Sequence, residues 1–240
     1  MTRAVVFDLF HTLANPEDYR PPDFDRIENA SAAVGLDPAL VTRHWLDNLH
    51  HVATSTLQPV ELLRRLCEAE GVNADPDAFD AADHAIGRYQ DDALLGPIPG
   101  TVETIQGLRT AGWLVGVLSN AHVRDIEAWP RSPLAPLVDV AHFSCFQGVA
   151  KPDAAAYSGV LDELGVTAEA ATFVGDGGSN ELAGARAAGF GSVVLLTGPA
   201  LGSGLRTPAD IASLATDADA TISEIGELPE LTERLATRRR

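Results

Sequence analysis

Several side chains able to form bonds or offset charge stand where apolar runs of this chain end. Asp8 follows the run 4–7, Ser119 and Asn120 follow 114–118, Lys151 stands in GlyValAlaLysProAsp, and Asp176 and Glu181 stand in PheValGlyAspGlyGlySerAsnGlu. A carboxylate such as Asp8 can attack phosphorus or an alkyl carbon and form a covalent intermediate that water later releases. Ser119 and Lys151 offer a hydroxyl donor and a positive charge for the oxygens of a transferring group. Asp8 and Asp176 tolerate a nearby phosphate only if a cation neutralises them, and Mg²⁺ takes oxygen ligands in such sites. Plain structural readings compete: a solvated strand-end acid for Asp8, a helix N-cap for Ser119, and for Glu181 a first-turn acid complementing a helix dipole.

Lys151 is the one lysine in a chain whose other 16 basic residues are arginines. The two side chains are not interchangeable, and a compact ammonium kept at a single position marks that position. The GlyAspGlyGlySer loop is not a dinucleotide cradle. It lacks GxGxxG spacing after an early strand, and its acid would repel a pyrophosphate.

These residues need a scaffold that brings distant strand ends together. Near-continuous apolar runs at 4–7, 114–118, 171–174 and 192–196, with weaker ones near 138–143 and 219–222, suit parallel strands buried on both faces. Helical spacing appears over 101–111, over 153–164 between Pro152 and Gly165, and over 180–188. From residue 101 onward helix and strand alternate, which predicts an α/β fold with a doubly wound, Rossmann-like parallel sheet. In such sheets ligands collect beyond the carboxyl ends of the strands. Residues 20–95 show helical spacing, as at Val60, Leu62, Leu63 and Leu66, and no strand. Pro/Gly clusters bound this stretch. The expected division is a core of 1–18 and 97–240 with a helical domain of 19–96 inserted after the first strand.

The ordered set of motifs resembles the haloacid dehalogenase superfamily of hydrolases. An apolar strand precedes Asp8 and Thr12, Ser119 follows the second strand, Lys151 precedes Pro152, and Gly175-Asp176 is followed five residues later by Glu181. The resemblance implies that Asp8 is a nucleophile and that Ser119 and Lys151 assist it. It also implies a Mg²⁺ ion held by Asp8, the backbone carbonyl of Phe10 and Asp176, with Glu181 behind them or acting through water. The inserted helices then form a cap over a small anionic substrate, and Asn120, Phe10 and His11 are expected to face that substrate.

Phe10 departs from the pattern. In most phosphatases of the superfamily a second Asp stands there, protonating the leaving alkoxide and activating water. Loss of such an acid/base costs roughly 10²- to 10⁴-fold in rate. Three readings follow. In the first, the chain hydrolyses a small phosphate ester, handling acidic leaving groups or borrowing a proton from His11, His122, His44, His50 or His51. In the second it dehalogenates a 2-halo acid, whose halide needs no proton, with Arg43 as the candidate halide contact. Asp176 counts against this, because the dehalogenases replace that acid and need no metal. In the third it is a weakly active or inactive homologue that binds a phosphorylated ligand or a partner. Phosphonate cleavage is excluded, since that branch depends on a cap lysine and residues 19–96 contain none. The first reading is preferred.

Composition sets the outer bounds. A length of 240 residues suits one main domain with a smaller one, and a net charge of -17 opposes binding to nucleic acid. Cys67 and Cys145 stand far apart without metal-ligand spacing, so neither a disulfide framework nor a zinc site is expected. No apolar run of membrane-spanning length occurs and MetThrArgAla lacks the build of a signal peptide, which predicts a cytoplasmic protein. The closing ArgArgArg reads as a solvated tail.

Overall fold

The computed structural model describes residues 2–237, with side chains as far as residue 235. The ArgArgArg tail lies outside the described residues. Six strands form one sheet: β1 (Arg3–Phe7), β2 (Trp113–Ser119), β3 (Val140–Phe143), β4 (Ala171–Gly175), β5 (Ser192–Leu196) and β6 (Ala220–Ile222). Their order is β3-β2-β1-β4-β5-β6, and every pairing is parallel. The chain therefore has the doubly wound α/β fold expected of it. The weak apolar runs near 138 and 219 are real strands, at the two edges of the sheet.

Both faces of the sheet are covered, which is why its strands read as unbroken apolar runs. Val5 and Phe7 point to one face, where Val115, Val117 and Val194 meet Ile105 and Leu108 of α5 (Thr101–Thr110). Ala4 and Val6 point to the other, where Phe173, Val193 and Leu195 meet Tyr157, Val160 and Leu164 of α7 (Ala154–Leu164) and Leu182 of α8 (Glu181–Ala187). The strand period of two thus divides one sequence run between two cores. Asp153 caps α7 by accepting from the Ala155 N–H at 2.9 Å, and Gly165 ends it in the left-handed region. The short helix α6 (Ser144–Gln147), α9 (Gly198–Gly202), α10 (Pro208–Leu214) and α11 (Leu228–Thr237) complete the covering layers.

Between β1 and α5 the chain builds α1 (Arg26–Val34), α2 (Pro38–Ala53), α3 (Pro59–Glu70) and α4 (Pro76–Leu95), with no strand among the described residues. These helices bury an apolar cluster of their own, including Val34, Val41, Leu63, Leu66, Phe79 and Ile86. Asp25, Asp37 and Asp75 cap α1, α2 and α4 by accepting backbone N–H bonds. No helix among the described residues is long and apolar enough to cross a membrane.

Register decides what the sheet presents at its carboxyl edge. Phe7 pairs with Val117 on one side and with Val174 on the other. The Asp8 N–H extends the ladder by one bond to the Val174 carbonyl, 2.9 Å. Asp8, Ser119 and Asp176 therefore leave three adjacent strands at nearly the same level, at the point where the strand order reverses.

Candidate active site

Asp8 is the first residue past β1 and is buried. The loop after it is tight: the Leu9 carbonyl accepts from the N–H groups of Leu13 and Ala14 at 2.8 and 3.0 Å, and the His11 N–H donates to the Ala14 carbonyl at 2.7 Å. His11 turns the chain with φ of 62°, a left-handed value that histidine adopts more readily than most side chains. The turn brings Thr12 back toward the strand end, where its hydroxyl donates to Asp8 Oδ2 at 3.3 Å, a long and weak bond. Phe10 is half-buried in this loop and packs against the apolar cluster of the sheet. His11 lies 3.0 Å through Nδ1 from Asn15 Oδ1, while Asn15 Nδ2 donates to Asp18 at 2.7 Å. That second bond orients the carboxamide, so Nδ1 carries the imidazole proton.

Lys151 joins the strand ends. Its ammonium donates to Asp8 Oδ1 and to Glu181 Oε2, both at 2.5 Å, and its side chain is only 2% exposed. Asn120 seats it from below: Asn120 Nδ2 donates to the Lys151 carbonyl at 2.8 Å and the Lys151 N–H donates to Asn120 Oδ1 at 2.7 Å. The side-chain nitrogen and oxygen of Asn120 are thus both on the Lys151 backbone, and these contacts position the lysine. Ser119, the last residue of β2, is buried beside them.

Asp176 and Glu181 come from the loop after β4. Glu181 opens α8, and its Oε1 accepts from the Gly177 N–H at 2.9 Å while Oε2 holds Lys151. A Cβ at Gly175 would fall 2.1 Å from Glu181 Oε1, so the carboxylate lies directly on glycine backbone. Tyr157 braces the same turn, donating its hydroxyl to the Glu181 carbonyl at 2.9 Å. Burial, reinforced by the Asp8 carboxylate, pushes Glu181 up to about 8. For Lys151 burial works against the charge, but Asp8 and Glu181 outweigh it and raise its pKa above the ordinary lysine range.

Ligand oxygens of Asp8, Asp176 and Glu181 all lie within 4.8 Å of one another. An all-oxygen, buried, carboxylate-rich set suits a small hard cation such as Mg²⁺. Asp176 also has a partner that the sequence does not announce. Arg206, in the loop between α9 and α10, donates from Nε and Nη2 to Asp176 Oδ2 at 3.1 and 2.7 Å. The one available signal is topological: the loop after β5 opens at the same sheet edge as the others.

The imidazole candidates separate clearly. His50, His51 and Arg43 on α2 are exposed, and His44 has a buried Nε2 without a hydrogen-bond partner. His122 is buried three residues past Ser119, edge-on to Trp45 of α2 with ring centroids 5.5 Å apart. Its Nε2 lies 2.9 Å from Arg26 Nη2 and 3.2 Å from Asp125 Oδ1. Burial, helped by Arg26 and Arg124, lowers His122 to about 4 against the pull of Asp125, so the ring is neutral at neutral pH.

A family model of haloacid dehalogenase-like hydrolases matches residues 2–189. The chain belongs to this family. Solved structures that this hydrolase resembles include both halves of the chemistry considered above. A 2-haloacid dehalogenase from Pseudomonas syringae pv. Tomato DC3000 has a TM-score of 0.63 and 25% identity, over 98% of this chain and 99% of that one. The L-2-haloacid dehalogenase from Xanthobacter autotrophicus with chloropropionic acid covalently bound has 0.58 and 21%, over 97% and 99%. A HAD phosphatase from Thermococcus onnurineus has 0.63 and 18%, over 96% and 98%. No curated protein matches the chain.

Proposed function

We propose that this hydrolase cleaves a small phosphate ester in a Mg²⁺-dependent reaction through an aspartyl-phosphate on Asp8. The observation that carries the reading is the buried Asp8–Asp176–Glu181 set, whose ligand oxygens lie within 4.8 Å of one another and make the all-oxygen cluster that suits a hard divalent cation. Asp8 and Asp176, with the Phe10 carbonyl, would hold the ion. When bound it offsets carboxylate charge and polarises phosphoryl oxygens.

The chain's own groups do the rest. An Asp8 oxygen attacks phosphorus as the P–O bond to the leaving group breaks, and Lys151 and Ser119 stabilise the charge on the phosphoryl oxygens. Water then attacks the phosphorus of the acyl phosphate and releases inorganic phosphate, regenerating Asp8. Phe10 offers no proton to the leaving group, so this site favours esters whose alkoxide leaves unaided, with helices α1–α4 shaping the substrate's surroundings.

Phe10 also favours a second reading, metal-free displacement of halide from a 2-halo acid through an Asp8 ester, and the Arg206 pair on Asp176 is consistent with it. One assay separates the two. Phosphate release from an aryl phosphate and chloride release from a 2-chloro acid are measured with and without Mg²⁺, for the parent and for Asp8→Asn. Phosphate release that needs Mg²⁺ and falls by roughly 10³-fold or more in Asp8→Asn is expected. Chloride release indifferent to a chelator would overturn the phosphatase reading.

A further inference from the structure

Arg206 is a cation at the site that the reaction above does not use. Its position is fixed from both sides: its own N–H donates to the Ala200 carbonyl at 3.1 Å, and Thr207, the next residue, caps α10 in a reciprocal pair with Asp210. The backbone therefore delivers the guanidinium to one place. There two of its N–H groups converge on a single oxygen, Asp176 Oδ2, while Asp176 Oδ1 accepts from the Gly178 N–H at 3.0 Å. Both oxygens of the carboxylate are thus engaged by the protein itself.

A divalent cation on Asp176 needs a lone pair from the same carboxylate and sets its charge beside a guanidinium. The two cations at the site differ in freedom. Lys151 is sealed at 2% side-chain exposure and gripped by two carboxylates, whereas Arg206 is 21% exposed and holds one. Of the two, Arg206 has solvent to withdraw into.

We propose that Arg206 is a positioning residue that competes with a divalent cation for Asp176: it holds the carboxylate and offsets its charge, and loading the cation displaces the guanidinium from Oδ2. This rests on the metal-dependent reading above and adds a residue that sets how tightly the metal is held.

The test is calorimetric titration of MgCl₂ into the full chain, comparing the parent with Arg206→Met, Arg206→Lys and Asp176→Asn. Arg206→Met loses a charge-assisted pair and a neighbouring positive charge, so Mg²⁺ should bind about tenfold more tightly, with Arg206→Lys in between. In an Asp176→Asn background the gain from Arg206→Met should vanish, which ties the effect to that carboxylate. Binding unchanged or weakened in a folded Arg206→Met, with the parent still binding Mg²⁺, overturns the proposal and leaves the metal-dependent reading standing. Uptake by neither protein overturns both. Should Arg206→Met fail to fold, Arg206→Gln carries the same comparison.

Discussion

His122 links the site to the helices above it, and its burial has a measurable cost in acid. An unfolded histidine takes up a proton near pH 6.5, while the folded ring holds out until about 4. Between those values the unfolded state binds more protons, so stability is present above pH 6.5 and is lost as pH falls toward 4. The loss from this residue is at most about 3.5 kcal/mol, one pKa unit being worth about 1.4 kcal/mol. His122→Asn keeps an N-cap acceptor for the Asp125 N–H but cannot protonate. Urea unfolding of both proteins at pH 6.5 and 4.5 should show a smaller drop for the variant; equal drops would mean that the buried imidazole is not what titrates. Residues of this kind differ in how openly the sequence shows them. Asp8 and Asp176 are visible because each follows an apolar strand, Glu181 because it opens a helix, and Lys151 because it is the one lysine, next to Pro152. Arg206 is hidden because its only relation to Asp176 is spatial, and the reciprocal bonds of Asn120 to the Lys151 backbone are hidden for the same reason.

The helix α4 is where the inserted helices meet the segment that follows β2. Arg124 crosses that boundary, donating to Asp83 Oδ2 at 2.8 Å and in a fork to Asp91 Oδ1 and Oδ2 at 3.0 and 2.8 Å. It reaches both acids by lying flat on Gly87, where a Cβ would stand 2.1 Å from Arg124 Cζ. A glycine in mid-helix costs about 0.5–1 kcal/mol relative to alanine, so one that sits under a guanidinium has a packing reason. Gly87→Ala should therefore destabilise the chain by about 1–3 kcal/mol despite its better helix propensity, because a forked, part-buried ion pair is lost. Thermal unfolding measures it, and a variant as stable as the parent would show that the fork is not needed. The glycine is readable in the sequence, but its reason is not, since Arg124 lies 37 positions away. The strands show the reverse: burial on both faces writes them as apolar runs, and only the short edge strands β3 and β6 fade, having fewer residues to show a pattern.

At the scale of the whole chain, 34 acidic residues face 17 basic ones, a net charge of -17. Such an excess repels itself most in the compact state, and salt screens it, the Debye length falling from roughly 20 Å to 6 Å between about 0.02 and 0.3 M. The melting temperature should accordingly rise with NaCl in that range. Mg²⁺ at matched ionic strength adds a second effect only if it binds the folded state specifically. At a hundredfold excess over its dissociation constant that linkage is worth about 2.7 kcal/mol, or roughly 5–10 °C for a chain of this size. The two effects separate by mutation. Asp176→Asn removes one charge of many, so its response to NaCl should match the parent's, while the additional rise with MgCl₂ should disappear. Parent curves that superimpose in the two salts at equal ionic strength would reduce the acidic set at the sheet edge to part of the general charge excess, and the reaction at Asp8 would then have to proceed with Lys151 and Arg206 as its only cations.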